Sequence, residues 1–425
     1  MENVFDELKS RGFVEQVTDE QAVRKLFSTP VTCYTGFDPT ASTLHVGNLV
    51  PIMALAHVQR NGHKPIVLIG GGTGLIGDPS GKTKTREILT ENQIEGNAAS
   101  IKEQFSRYID FGEDKALLLN NAEWLRNLNY IEFLRDIGCH FSVNRMLAAE
   151  SYKARLKTGL NFIEFNYMLL QAYDFLYLNK HYRCLLQMGG NDQWGNILAG
   201  IDLTRRVEGR EVYGMTFPLI ITASGDKMGK TEKGAVWLDG NLTSHYDYYQ
   251  FWINVDDADV ARFLKLFTFL PKDEIEALEA VRGEALNGAK IVLAFEATKI
   301  THGEKKAIEA WETSASAFGH REIDGKLFPS STIPRSKAAN DVSGMPTSVI
   351  AEEVLKKGIC AFELFTRVGL CSTKSEARRL ISQRGGYING EPVGKYDEII
   401  DCKRVENGSI VLRSGKKKYH RIEVD

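Results

Sequence analysis

Two short stretches, far apart in the chain, carry side chains suited to handling a polyphosphate. The first is Asp38-Pro39-Thr40-Ala41-Ser42-Thr43-Leu44-His45-Val46-Gly47-Asn48-Leu49. Ser42 or Thr43 is placed to cap a helix opening near Leu44, whose positive end would attract phosphate. His45 and Asn48, three apart, fall on one face of that helix, and both carry hydrogen-bond donors. Gly47 has no side chain, so a flat ring could pack against its backbone. The second stretch, Asp226-Lys227-Met228-Gly229-Lys230-Thr231, is a doubly basic loop with a hydroxyl behind it. Such a loop suits a mobile clamp on charge that builds up on phosphates. Taken singly, each reads better as ordinary structure, a self-capped helix and a solvated turn. Together they shift the balance toward phosphate chemistry.

A third set lies on one apolar helical run. Tyr167, Gln171 and Asp174 stand at i, i+4 and i+7 among Met168, Leu169, Leu170, Phe175 and Leu176, which puts three polar groups on one face. A buried carboxylate is costly unless it is hydrogen-bonded, and a phenol hydroxyl is a fitting donor to Asp174. Tyr34, at the end of a strand-like run, could supply a matching hydroxyl. A self-satisfied buried network fits the spacing equally.

Two glycine-rich patterns come close to phosphate motifs and miss. Gly72-Thr73-Gly74-Leu75-Ile76-Gly77 follows a strand but places Pro79 and Gly81 where the early turns of a dinucleotide-binding helix belong. It reads as a turn, with a nicotinamide oxidoreductase a distant alternative. Gly77-Asp78-Pro79-Ser80-Gly81-Lys82-Thr83 has Ile76 where a P-loop requires glycine. Lys82, Lys84 and Arg86 could still meet an anion, or form a solvated charged loop.

The elements that must position these residues alternate. Apolar runs at 31–36, 65–70 and 184–190 read as buried strands, and 49–59 as a helix. That alternation predicts an α/β fold with a doubly wound parallel sheet and a ligand at the carboxyl ends of its strands. Residues 257–319 are helical in pattern, and 327–347, with Pro329, Pro334 and Pro346, reads as a linker.

The chain's 425 residues predict two to four domains. Its 53 Lys and Arg against 55 Asp and Glu look indifferent to nucleic acid. The balance is uneven, however. Residues 351–425 hold 15 basic against 11 acidic side chains, leaving 38 against 44 for residues 1–350. A basic module therefore follows an acidic body. Six scattered cysteines without a C-x-x-C pair argue for reduced thiols and against a zinc site. No apolar run of about 18 residues occurs, so no membrane span is expected. The acidic start, residues 1–7, has the pattern of neither a signal nor a transit peptide, and a cytoplasmic location is expected.

The first two stretches are similar, in order and separation, to the HIGH and KMSKS signatures of class I aminoacyl-tRNA synthetases. The whole chain resembles the bacterial tyrosyl-tRNA synthetases. The resemblance rests on Tyr34-Thr35-Gly36-Phe37-Asp38-Pro39-Thr40, Gly74-Leu75-Ile76-Gly77-Asp78-Pro79-Ser80, Gln187-Met188-Gly189-Gly190-Asn191-Asp192-Gln193-Trp194-Gly195-Asn196 and the lysine loop. Two departures stand out. An Asn amide, Asn48, replaces the second His of HIGH, and the lysine loop reads Lys227-Met228-Gly229-Lys230-Thr231.

The resemblance implies a Rossmann-like catalytic domain over 1–222 with an inserted dimerisation segment. It also implies a lysine-loop and helical domain over 223–325, a linker over 326–350 and an S4-like α+β RNA-binding domain over 351–425. It implies tyrosine activation with ATP, then transfer of the tyrosyl group to the terminal adenosine of tRNA(Tyr), in translation. Tyrosine would be held by Tyr34, Asp78, Tyr167, Gln171, Asp174 and Gln193. ATP would meet Gly36, Asp38, Thr40, His45, Gly47, Asn48, Gly190, Asp192 and Lys230. Lys82, Arg86, Lys227, Lys230 and Thr231 would join Thr40, His45 and Asn48 in stabilising the reacting phosphates. Lys374, Arg378 and Arg379 would face RNA. A homodimer is expected, with the apolar stretch 130–146 contributing. Magnesium would arrive with ATP, since no carboxylate cage for a metal is apparent. The tryptophanyl sibling is the enzyme alternative, although the Tyr34 and Asp174 pair suits a phenol better than an indole. An RNA-binding regulator without catalysis is the other.

Overall fold

The computed structural model describes residues 3–78, 89–148, 152, 156, 159–223, 225, 228–231, 234–280, 284–318, 323, 326–335, 346–406, 408–415 and 418–425. The chain divides into two compact units. One comprises residues 1–243, 255–286 and 328–330; the other comprises 244–254, 287–327 and 331–425.

The first unit is built on six strands: β1 (Gln16–Val17), β2 (Thr32–Phe37), β3 (Lys64–Ile69), β4 (Leu117–Asn120), β5 (Cys184–Gly190) and β6 (Tyr213–Phe217). In space they run β1-β6-β5-β2-β3-β4. All neighbours are parallel except β1, which closes the β6 edge antiparallel. Continuous apolar runs such as Pro65-Ile66-Val67-Leu68-Ile69 are what a parallel sheet covered on both faces demands, and all five are buried. The strands expected at 31–36, 65–70 and 184–190 lie within one residue of β2, β3 and β5. The chain winds outward through β2, β3 and β4, then returns to place β5 on the other side of β2. The crevice of such a sheet opens where the winding reverses, here beyond Phe37 on β2 and Gly190 on β5.

Four helices matter to that crevice: α1 (Leu49–Arg60), α2 (Glu91–Phe105), α3 (Phe162–Tyr182) and α4 (Trp194–Glu208). The α3 helix opens on a reciprocal cap, with the Asn161 side chain accepting from Glu164 N and Glu164 Oε2 accepting from Asn161 N. Phe175 of α3 packs with Tyr34, Ile66, Leu68, Trp124 and Leu178 into a buried cluster under the crevice.

One local expectation fails. Neither Ser42 nor Thr43 caps a helix. The Thr43 hydroxyl is buried and bonds to Gln104 Oε1 at 3.0 Å. A single 3-10 turn, Val46–Asn48, precedes α1 and is capped by His45 itself. The imidazole offers an acceptor nitrogen beside its own turn, which outcompetes the hydroxyl already engaged by Gln104.

The second unit contains His245–Ile253, most of Glu284–His302, and Glu304–Phe318 as helices. They are joined by buried polar pairs, Tyr248 Oη with Thr301 Oγ1 at 2.9 Å and Gln250 Nε2 with Ser314 Oγ at 3.1 Å. Its C-terminal part is an α+β module. Five strands run in the spatial order Glu391–Pro392, Gly386–Ile388, Ser409–Ser414, Lys418–Val424 and Thr347–Ile350. Thr347–Ile350 falls inside the stretch read as linker, yet it pairs parallel with Lys418–Val424. Its Thr-Ser-Val-Ile sequence has the β-branched character of a strand, but only the partner 70 residues on reveals it. No helix among the described residues is long and apolar enough to cross a membrane.

Candidate functional site

Just past the end of β4 and beside the middle of β2, where Tyr34 sits instead of at the strand end expected for it, the charge of a buried carboxylate acts on a buried phenol. Asp174, on the crevice side of α3, is 2% exposed. Its Oδ1 accepts from Trp124 Nε1 at 2.7 Å and its Oδ2 from Asn121 Nδ2 at 2.9 Å. Burial pushes its carboxyl up to about 7, against the pull of those two donors. Tyr34, on β2 and 1% exposed, packs against Phe175 with ring centroids 5.4 Å apart. Its hydroxyl finds no hydrogen-bond partner among the described residues. Burial, then the Asp174 charge, drives that phenol well above its ordinary range. An unsatisfied buried hydroxyl costs about 1–3 kcal/mol, so the arrangement is poised for a ligand with a polar tip.

The network extends from there. Asn121 Nδ2 reaches Thr73 Oγ1 at 3.0 Å, and Thr73 Oγ1 donates to Asp38 Oδ1 at 3.1 Å. Tyr167 Oη donates to Asp38 Oδ2 at 3.1 Å. This requires close approach at Gly70, where a β-carbon would collide with the Asp38 carboxylate. The glycine-rich stretch after β3 is accordingly a tight 3-10 turn, Thr73–Leu75, with Gly77 at φ 84°, and not the start of a dinucleotide helix.

A second polar set lies between α3, α4 and the loop after β3. Gln193 Nε2 donates to Asp78 Oδ2 at 2.7 Å. Asn196 Nδ2 donates both to Gln193 Oε1 at 3.1 Å and to Gln171 Oε1 at 2.9 Å. Asp78 is buried, 6% exposed. Asp78, Gln193, Asn196 and Gln171 are thus linked in one hydrogen-bonded set, while the Tyr167 hydroxyl, one turn before Gln171 on α3, bonds to Asp38. Gly190 ends β5, and the exposed Asp192 follows in the turn Asn191–Gln193.

At the start of α1, His45 Nδ1 accepts from Gly47 N at 3.0 Å and Asn48 Oδ1 accepts from His45 N at 3.0 Å. The expectation that these residues share a helical face is therefore replaced by a reciprocal cap. With Nδ1 accepting, the imidazole proton sits on Nε2. Thr40 and Gly36 are exposed beside this turn in sequence. The lysine loop comes to the same place. Val46 N donates to Val236 O at 2.9 Å, Leu238 N to Leu44 O at 2.8 Å and Val236 N to Gly229 O at 2.9 Å. The His45 and Trp237 rings meet edge to face, 6.0 Å between centroids. Lys230–Thr231 and Gly234–Ala235 form a short antiparallel pair. Lys82, Arg86 and Lys227 lie outside the described residues, as do the side chains of Lys230 and Thr231.

In the C-terminal module, Lys374 and Arg378 stand on Lys374–Ser382, both exposed, with Arg379 beside them. Lys374 Nζ pairs with Glu363 Oε1 at 2.6 Å, and the Arg378 guanidinium stacks over Phe362 at 4.3 Å.

Sequence reasoning singled out Asp38, Gln171, Asp174 and Gln193 but missed the side chains hydrogen-bonded to them. Thr73 comes from the turn after β3, Asn121 and Trp124 from the N-cap and body of the short helix Ala122–Leu125 after β4, and Asn196 from α4. Asn120-Asn121 directly after an apolar strand was the available signal, since side-chain amides at strand ends face the crevice of this fold class.

The sequence profile of the family described as tRNA synthetases class I (W and Y) matches residues 27–319. That of the Tyrosine--tRNA ligase SYY-like C-terminal domain matches residues 338–422. The chain is 61% identical over 426 residues to a Tyrosine--tRNA ligase of Syntrophus aciditrophicus, covering all of both chains. It is 49% identical to one of Acetivibrio thermocellus, again over the full length of both. Among solved structures, a C-terminally truncated mitochondrial tyrosyl-tRNA synthetase of Aspergillus nidulans superposes with a TM-score of 0.68 at 31% identity, over 75% of this chain and 95% of that one.

Proposed function

We propose, for a chain that belongs to the class I tRNA synthetases on their tyrosyl branch, that the buried Asp174 and Tyr34 clasp the substrate phenol while Asp78, Tyr167, Gln171 and Gln193 hold its ammonium. The chain activates L-tyrosine with ATP and charges tRNA with it. The observation that carries the site assignment is the Asp174 carboxylate, fixed by Trp124 and Asn121 beside a Tyr34 hydroxyl with no partner among the described residues.

The tyrosine carboxylate, already ionised, attacks the α-phosphate of ATP in line. Pyrophosphate leaves and tyrosyl-adenylate remains, so the protein needs no general base at this step. Its work is alignment and stabilisation of charge on the phosphates. Thr40, His45 through Nε2 and Asn48 meet ATP from the α1 side, with Gly36, Asp38, Gly47, Gly190 and Asp192 around the nucleoside. Lys227, Lys230 and Thr231 close over the pyrophosphate, joined by Lys82 and Arg86. The close packing of Met228 and Gly229 on Val46 and Gly47 supports a shared target for the two motifs. A ribose hydroxyl of the terminal adenosine of tRNA(Tyr) then takes the tyrosyl group. Among the described residues no three His, Cys, Asp or Glu side chains converge to hold a metal. Magnesium enters this reading as the companion of ATP, bound to its phosphates.

The C-terminal module grips tRNA through Lys374, Arg378 and Arg379. Tyr130, Ile131 and Val143, exposed by 58%, 70% and 56%, support a homodimer to which the apolar stretch 130–146 contributes. The six cysteines, all free, fit a cytoplasmic enzyme.

ATP–pyrophosphate exchange run in parallel with tyrosine and tryptophan tests the substrate side. Exchange driven by tyrosine alone is expected. Exchange driven equally by tryptophan would overturn the phenol clasp, and Lys230→Ala with unchanged adenylate formation would remove the lysine loop from the chemistry.

A further inference from the structure

Asn196 touches both glutamines of the ammonium end. Its side chain is 2% exposed and lies on α4, facing α3. One nitrogen, Nδ2, donates to Gln171 Oε1 at 2.9 Å and to Gln193 Oε1 at 3.1 Å. A glutamine amide is nearly symmetric in shape and opposite in function at its two ends, so its orientation is set by its partners. Gln193 is read at both ends, because its Nε2 also donates to the buried Asp78 carboxylate at 2.7 Å and to Asp192 Oδ2 at 3.1 Å. Turning Gln193 around would set its oxygen against that carboxylate. Gln171 has no second reader of this kind among the described residues, so Asn196 alone decides which end it presents there.

We infer that Asn196 is a positioning residue for tyrosine recognition: its amide N–H groups hold the oxygens of Gln171 and Gln193 toward the substrate, making that end of the pocket a set of acceptors. With Asp78, those oxygens would offer only acceptors, for which a primary ammonium, with three N–H donors and no acceptor, is the matching group. Were Gln171 reversed, its NH2 would confront the ammonium with a second donor. Asn196 acts through the two glutamines and need not touch substrate. This inference rests on the proposed assignment of Gln171 to the ammonium.

Asn196→Asp separates the hydrogen-bond role from packing, because aspartate has the same shape and no N–H to give. Full-length Asn196→Asp, Asn196→Ala and Gln171→Ala proteins are compared by tyrosine binding at equilibrium. 3-(4-hydroxyphenyl)propionate, which keeps the phenol and lacks the ammonium, serves as the second probe. Asn196→Asp is expected to weaken L-tyrosine binding on the order of tenfold or more, while the propionate binds as it does to the parent protein. The preference for the amino acid over its deaminated analogue therefore collapses. A parent-like preference in Asn196→Asp, with Gln171→Ala impaired, overturns the role of Asn196 and leaves the ammonium assignment standing. A parent-like preference in Gln171→Ala overturns both. Equal weakening of both probes in Asn196→Asp also overturns the inference, since it marks a general loss of pocket structure. Should Asn196→Ala fail to fold, the isosteric variant still decides.

Discussion

The backbone of Gly229 rests on that of Gly47: a β-carbon on the former would stand 2.9 Å from the latter's amide nitrogen and 3.3 Å from Val46 Cβ. Gly229 also has φ 83°, in the left-handed region. Two motifs separated by some 180 residues of sequence thus meet main chain to main chain, at a point in the lysine loop that admits no added bulk.

Gly229→Ala combines a left-handed conformation costing about 1–2 kcal/mol with displacement of the loop. Single-turnover adenylate formation should slow on the order of tenfold or more, while tyrosine binding measured without ATP stays as in the parent protein. Parent-like adenylate formation would show that the contact does not aim the lysines.

Tyrosine binding should depend on pH through Asp174. With its carboxyl pushed up to about 7 in the empty site, the ionised acceptor is lost as pH falls below that value. The tyrosine Kd should rise about tenfold for each pH unit below it. Stability of the empty protein should run the other way. The folded carboxyl binds its proton more tightly than an unfolded one of pKa about 3.9, so this contribution is fully present at low pH and is lost as pH rises toward about 7. Tyrosine titrations between pH 5.5 and 8, beside thermal melts of the empty protein, check both signs.

Trp124→Phe keeps the ring and removes the donor to Asp174 Oδ1. The loss of one buried partner should cost about 1–3 kcal/mol of stability. Because that donor lowers the Asp174 carboxyl, the midpoint of the pH profile for tyrosine binding should move upward. An unmoved midpoint would mean that Trp124 contributes only packing.

Arg379 and Arg378 should report differently on RNA. Arg378 stacks on Phe362 at 4.3 Å, so Arg378→Ala loses packing together with a charge. Exposed Arg379 should give the cleaner result. Arg379→Ala is expected to weaken tRNA binding and to reduce its salt dependence by about one unit of slope, with adenylate formation untouched. Binding unchanged in both variants would place the RNA face elsewhere.

Much of the fold was legible because parallel strands announce themselves by uninterrupted apolar runs, and β2, β3 and β5 do. The face carrying Tyr167, Gln171 and Asp174 was legible because helical spacing is local. What escaped is what depends on distant partners. Nothing near Asp174 in sequence reveals Trp124 or Asn121, some 50 residues away at the end of another strand. His45 and Asn48 were visible as polar residues three apart, but whether that spacing makes one helical face or one reciprocal cap turns on Gln104, which takes Thr43 out of the competition. Thr347–Ile350 is too short to declare itself a strand until Lys418–Val424 is set beside it.

That last pairing has a consequence for how the C-terminal module could be rebuilt. Arg421 N donates to Pro346 O, and Asp425 N to Ile350 O. Pro346 and Asp425 therefore lie on adjacent strands, about 13 Å apart along them. A bridge of a few residues would join them into a ring. Fresh termini could then be opened at the exposed glycine turn of Gly390 or Gly408 without cutting a strand, a candidate for circular permutation that keeps every ladder of the sheet.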